Sequence, residues 1–105
     1  MKLVVLRKND EYMEMLYKLR EETEELKEEI ELHFRKNINN KENIAAEALD
    51  VIQVCIGILD KLEREGINIE KTIAKHNVKL LGRGWEVKKI VHINVKEDMN
   101  KNNAY

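Results

Sequence analysis

The chain has 105 residues, with 19 Lys and Arg against 20 Asp and Glu and a net charge of -1. That length predicts a single domain, and the balance of charge gives no overall pull toward DNA, RNA or an anionic membrane. With 37% charged residues, 5% aromatic residues, no proline and four glycines, the composition is that of a mainly α protein, not of a sandwich, a barrel or a disordered chain. The single cysteine, Cys55, excludes an internal disulfide and a thiolate zinc site, and no cleavable signal sequence is recognisable, so a reducing cytoplasm is the expected compartment.

In chain order, the apolar run Lys2-Leu3-Val4-Val5-Leu6-Arg7 predicts a short strand, and Asn9-Asp10 after it is a helix start signal. From Asp10 to about Arg35, Tyr12, Met15, Leu16, Leu19, Leu26, Ile30 and Phe34 recur at three- and four-residue steps, which predicts a long amphipathic helix. The asparagine-rich stretch Lys36 to Lys41 predicts a loop, because asparagine side chains compete for backbone hydrogen bonds. Asn43 is the expected cap of a second helix running to about Glu65, with Gly66 as its stop. Asn68 or a near neighbour opens a third helix, Ile69 to Leu81, ended by Gly82-Arg83-Gly84. Val91, Ile93 and Val95 alternate with His92, Asn94 and Lys96, which predicts a strand that could pair with the N-terminal run, and residues 97–105 read as a frayed tail. The expected helical core covers about residues 10–85.

The second helix is apolar on nearly every side, with Ile44, Leu49, Val51, Ile52, Val54, Cys55, Ile56, Ile58 and Leu59 spread around it. Such a helix needs to be wrapped by other helices or by a second copy of the chain, which predicts a homodimer or homotetramer. It carries Glu47, Asp50 and Gln53 at i, i+3 and i+6, so it is not a membrane span, and its two carboxylates are neighbours. Buried acids are rare unless paired or holding a metal, and no Lys or Arg lies between Ile44 and Leu59.

The first helix supplies the complement. At about 100° per residue, with Leu19 at zero, Leu26, Tyr12 and Ile30 lie within about 20° of the centre of the expected core face. Glu22 then lies about 60° from that centre and Glu25 about 120°, a second i, i+3 acid pair at the edge of the stripe, while Glu21, Glu24 and Glu28 point to solvent. An antiparallel pairing of the two helices would set Glu22 and Glu25 against Glu47 and Asp50. Each like-charge pair about 5 Å apart at an effective dielectric of about 20 costs on the order of 3 kcal/mol, and either raised pKa values or a divalent cation relieves that cost. An all-carboxylate set suits Mg²⁺, Mn²⁺ or Ca²⁺, and Mg²⁺ shares its coordination shell with phosphate.

Glu21-Glu22-Thr23-Glu24-Glu25-Leu26 followed by Glu47-Ala48-Leu49-Asp50 resembles the EExxE and ExxD motifs of MazG-like nucleotide pyrophosphohydrolases, of the all-α NTP pyrophosphatase superfamily. The twenty-one residues between Glu25 and Glu47 match the interhelical spacing of that family, and His76-Asn77-Val78-Lys79-Leu80-Leu81-Gly82-Arg83-Gly84-Trp85 resembles the K…RGW ending of its short members. The likeness covers about Lys18 to Trp85, and a shifted register, Glu24-Glu25-x-x-Glu28, is also open for the first motif. The resemblance implies a helical bundle that hydrolyses a nucleoside triphosphate between the α and β phosphates, with Mg²⁺ on Glu22, Glu25, Glu47 and Asp50. It further implies a supporting role for Glu21 in orienting the attacking water, Lys79 and Arg83 on the β and γ phosphates, and Asn77 and Trp85 near the sugar or base.

Plainer readings exist for each feature. The Glu-rich first helix reads alone as a solvated face with pairs such as Glu14-Lys18, Lys79 and Arg83 as ordinary helix C-terminal cations, Trp85 as a packing residue and Cys55 as a small core residue. His33, His76 and His92 share no metal-ligand spacing. The competing function is a non-catalytic helical homo-oligomeric interaction protein. A di-iron carboxylate bundle is disfavoured because the chain has no Glu-x-x-His pair.

Overall fold

The computed structural model describes residues 2–6, 11–93 and 96. Three helices account for most of them: α1 (Tyr12–Lys36), α2 (Lys41–Arg64) and α3 (Ile69–Gly82). The chain is therefore mainly α, as the composition predicts, and no strand forms among the described residues. None of these helices is long and apolar enough to cross a membrane. The chain falls into two compact units, one up to Lys61 and one from Leu62 onward.

In the first unit, α1 and α2 form an antiparallel hairpin. Its register follows from four contacts. Asn40 reaches Glu29, Glu22 meets Glu47, Gly57 faces Met15 and Lys61 lies over the Tyr12 ring, so each step up α1 meets a step down α2. Asn37 ends α1 in the left-handed conformation that asparagine tolerates, at φ 52°. The His33 ring Nδ1 donates to the Ile38 carbonyl at 2.9 Å and pins the four-residue turn. Asn40, only 8% exposed, donates from Nδ2 to the Glu29 carbonyl at 2.8 Å and to the Glu29 carboxylate, and its own carbonyl accepts from Ile44. α2 thus begins directly after Asn40, whose buried side-chain oxygen caps no N–H of the helix. Asn43, the expected cap, lies inside the first turn, because Asn40 is the asparagine whose side chain finds a partner across the turn.

Among the described residues of this unit, Val54 is the one buried apolar residue, at 9% exposed. The wheel predicts a core face centred on Leu19, Leu26, Tyr12 and Ile30, and that expectation is wrong by a rotation. The helices meet on the carboxylate side of Leu19, where Met15, Glu25, Leu26 and Glu29 are partly covered and Glu22 is 6% exposed. On the other side, Tyr12 and Ile30 are each 48% exposed, with Leu16 similar and Phe34 at 85%. A single partner helix covers roughly half of a wide stripe, and α2 takes the half that holds the acids. On α2, Leu49, Ile52 and Cys55 are likewise exposed, so Cys55 is not the core residue that its apolar helix suggests.

The N-terminal run forms no strand over 2–6. A strand needs a backbone partner, and the long-range bond it makes is the Gln53 side-chain amide donating to the Val4 carbonyl. Arg7 and the start signal Asn9-Asp10 lie outside the described residues, and α1 begins after Glu11 without a side-chain cap.

The second unit opens on a Schellman turn. Gly66, at φ +99°, lets its own N–H reach the Glu63 carbonyl and that of Ile67 reach Leu62, each at 3.0 Å. Asn68 caps α3 as predicted, its Oδ1 accepting from the Lys71 N–H at 3.0 Å. The helix ends in a second turn of the same kind at Gly84, φ +88°, with Trp85 N–H on Leu80 O at 3.2 Å. Among the described residues of this unit, Ile69, at 7% exposed, is the buried apolar one. Residues 91–93 carry no strand, since an extended piece without a ladder has nothing to hold it as one. Asn94, Val95 and the tail expected to fray, 97–105, lie outside the described residues.

Candidate metal centre

The antiparallel register of α1 and α2 has a direct consequence for their acids. One ligand oxygen each from Glu22, Glu47 and Asp50 lie within 4.8 Å of one another, an arrangement that can hold a metal ion. Glu22 is buried, Glu47 partly so and Asp50 exposed, so the cluster runs from the seam to the surface. Its inner end is chemically incomplete: Oε2 of Glu22 and Oε2 of Glu47 are both buried and neither has a hydrogen-bond partner. A buried carboxylate oxygen without a donor is costly, and a bound cation removes that cost.

Glu25 lies beside this set, outside the three converging oxygens. The charge of Glu22 foremost, then burial, then the charge of Glu47 hold its carboxyl above the usual carboxylate range. Three of the four predicted ligands therefore converge and the fourth adjoins them.

Among the described residues, the cation paired with this cluster comes from one turn earlier on the same helix. Lys18 Nζ lies 2.8 Å from Glu22 Oε1 and 3.7 Å from Glu21. The hydrogen bond to Glu22, and then that carboxylate's charge, raise the lysine above its ordinary value. By spacing Lys18 can pair with Glu14 or with Glu22, each four residues away, and the ion pair to Glu22 is the one observed. Glu21 is exposed, as the wheel predicts, and so are Glu24 and Glu28.

Lys79 and Arg83 stand one turn apart at the C-terminal end of α3 in the second unit, where the Arg83 N–H bonds the Lys79 and Leu80 carbonyls. Both are exposed, as is Asn77, and the Trp85 side chain is two-thirds exposed in place of closing the helix end. Comparison with known protein families, curated proteins and solved structures found no match.

Proposed function

We propose that this chain is a Mg²⁺-dependent nucleoside triphosphate pyrophosphohydrolase, cleaving its substrate between the α and β phosphates to the monophosphate and pyrophosphate. The observation that supports this reading is the convergence of Glu22, Glu47 and Asp50 around two buried, unpartnered carboxylate oxygens, at the positions where the sequence resembles EExxE and ExxD. Mg²⁺, or Mn²⁺ in its place, would be held by these three with Glu25 as the fourth acid. Bound there, the ion would neutralise phosphate charge and lower the pKa of a water. Glu22, Glu47 and Asp50, from two packed helices, would hold the ion, and the exposed Glu21 would orient the attacking water. The sequence resemblance alone would give Lys79 and Arg83 to the β and γ phosphates, and Asn77 and Trp85 to sugar or base. The test is pyrophosphate release from a panel of ribo- and deoxyribonucleoside triphosphates with and without Mg²⁺. Release that needs Mg²⁺ and disappears in Glu47→Gln supports the assignment, and none with any nucleotide at high enzyme defeats it.

The proposal includes a second copy. Tyr12, Leu16, Ile30 and Phe34 of α1 and Leu49 and Ile52 of α2 are too much apolar surface for a solitary chain, and a homodimer or homotetramer would cover them. The same surface favours the second reading, a non-catalytic helical oligomer. Thermal melts separate the two, because a bound cation raises the melting point by mass action and a mere interaction protein gains nothing from Mg²⁺.

A further inference from the structure

We infer that Lys18 is the resident counter-ion of the carboxylate cluster: it leaves Glu22 when a divalent cation binds, and its ammonium then serves the anionic oxygens of a phosphate ligand on that cation. This rests on the metal-binding reading of the cluster and adds a control on its occupancy.

The Lys18 ammonium lies 2.8 Å from Oε1 of Glu22, whose other oxygen is buried without a partner. An ordinary i, i+4 pair on a helix surface joins two solvated groups and contributes little. Here one partner is 7% exposed and the other 45%, so the carboxylate is fixed in the seam and the lysine is the end free to move. A dication entering among Glu22, Glu47 and Asp50 meets the ammonium as a like charge a few ångströms away, and the two cannot share Glu22 without strong repulsion. Once released, the flexible four-carbon stem of Lys18 keeps its charge within reach of the exposed, Asp50 end of the cluster. A phosphate on the metal would arrive there. Glu21, already 3.7 Å from the ammonium, is the competing anion in the same turn.

The inference predicts effects of opposite sign from one substitution. Calorimetric titration of the full chain with Mn²⁺ alone should show Lys18→Met binding the ion about tenfold more tightly than the native chain, since a repelling charge has gone. Lys18→Arg, which keeps the charge, should bind it as the native chain does. Titration with pyrophosphate in saturating Mg²⁺ should instead show Lys18→Met binding about tenfold more weakly, and Lys18→Arg recovering most of the loss. A salt bridge that only supports the helix predicts neither effect. Lys18→Gln repeats both titrations should the methionine variant fail to fold. Unchanged Mn²⁺ affinity in a native-like variant overturns the counter-ion role, and unchanged pyrophosphate affinity overturns the phosphate role, with Glu21 then keeping the lysine. A native chain that takes up no Mn²⁺ at all removes the metal reading and this inference together, whereas metal uptake indifferent to Lys18 removes the inference alone.

Discussion

The two sides of α1 invert the usual order of burial. The side turned to α2 covers Glu22, while the side turned away leaves Phe34 and Ile30 in water. A chain selected only to fold alone would do the opposite, since burying a carboxylate is costly and burying an aromatic ring is favourable. The inversion makes sense if each side has a different ligand: a cation for the acids, and another copy of the chain for the apolar stripe. Breaking one side should leave the other intact, and that is the basis of the tests.

The largest effect should come from the acids. Glu47→Gln and Asp50→Asn each remove a charge from the converging set, and pyrophosphate release should fall by about a hundredfold or more at saturating nucleotide. The helical circular dichroism spectrum should stay native, because neither change opens a cavity. A variant with full activity would break the comparison on its acidic side. Next in size is the apolar side. Phe34→Glu, at a position 85% exposed in the single chain, should convert an oligomer to monomers in light scattering without altering Mn²⁺ uptake. A monomeric native chain would show that the stripe has no second copy to cover it.

Metal itself gives a smaller shift. At a tenfold excess over its dissociation constant, a cation stabilises the fold by about 1.4 kcal/mol, enough to move the melting temperature of a chain this size by several degrees. Glu47→Gln should abolish that shift. Asn40→Ala should cost about 1 kcal/mol through the lost bonds to Glu29, read as a lower urea midpoint at constant slope. No change in the midpoint would mean that the turn does not fix the register of the hairpin.

Much of this was legible in the sequence, and the failures share one cause. Three- and four-residue periodicity located α1, cap and stop residues located α2 and α3, and Gly66, Asn68 and Gly84 act as their residue types predict because caps are local. The i, i+3 spacing also put Glu22 and Glu47 on faces that could meet. Periodicity could not say which half of a wide apolar stripe a single neighbour would take, so Tyr12 and Ile30 were expected inside and Glu22 only at the rim. The same blindness to the partner missed Lys18, which had acids four residues away in both directions. Asn43 and Asn40 are equally good helix-start residues by type, and the Glu29 contact across the turn, made by the Asn40 amide N–H while its oxygen caps nothing, singles out Asn40.

The smallest predicted effect concerns pH and sharpens the acidic side further. Glu25 is held above the usual carboxylate range by the neighbouring charges of Glu22 and Glu47 and by burial, so the folded chain favours its protonated form. Without metal, that contribution to stability is complete below the unfolded carboxyl value, about 4.3, and is lost as the pH rises through the folded value. Acidification from neutrality should therefore raise the melting temperature slightly in EDTA. The raised Lys18 value works at the alkaline end, where its contribution is lost as the pH passes above it, and leaves this window untouched. In saturating Mg²⁺ the sign should reverse, because a proton and a dication compete for the same carboxylates and acid now drives the ion out. Glu25→Gln should flatten the curve in EDTA while leaving the Mg²⁺ curve sloping, since the other three acids still bind. Parallel curves in EDTA and Mg²⁺ would mean that no cation occupies the seam.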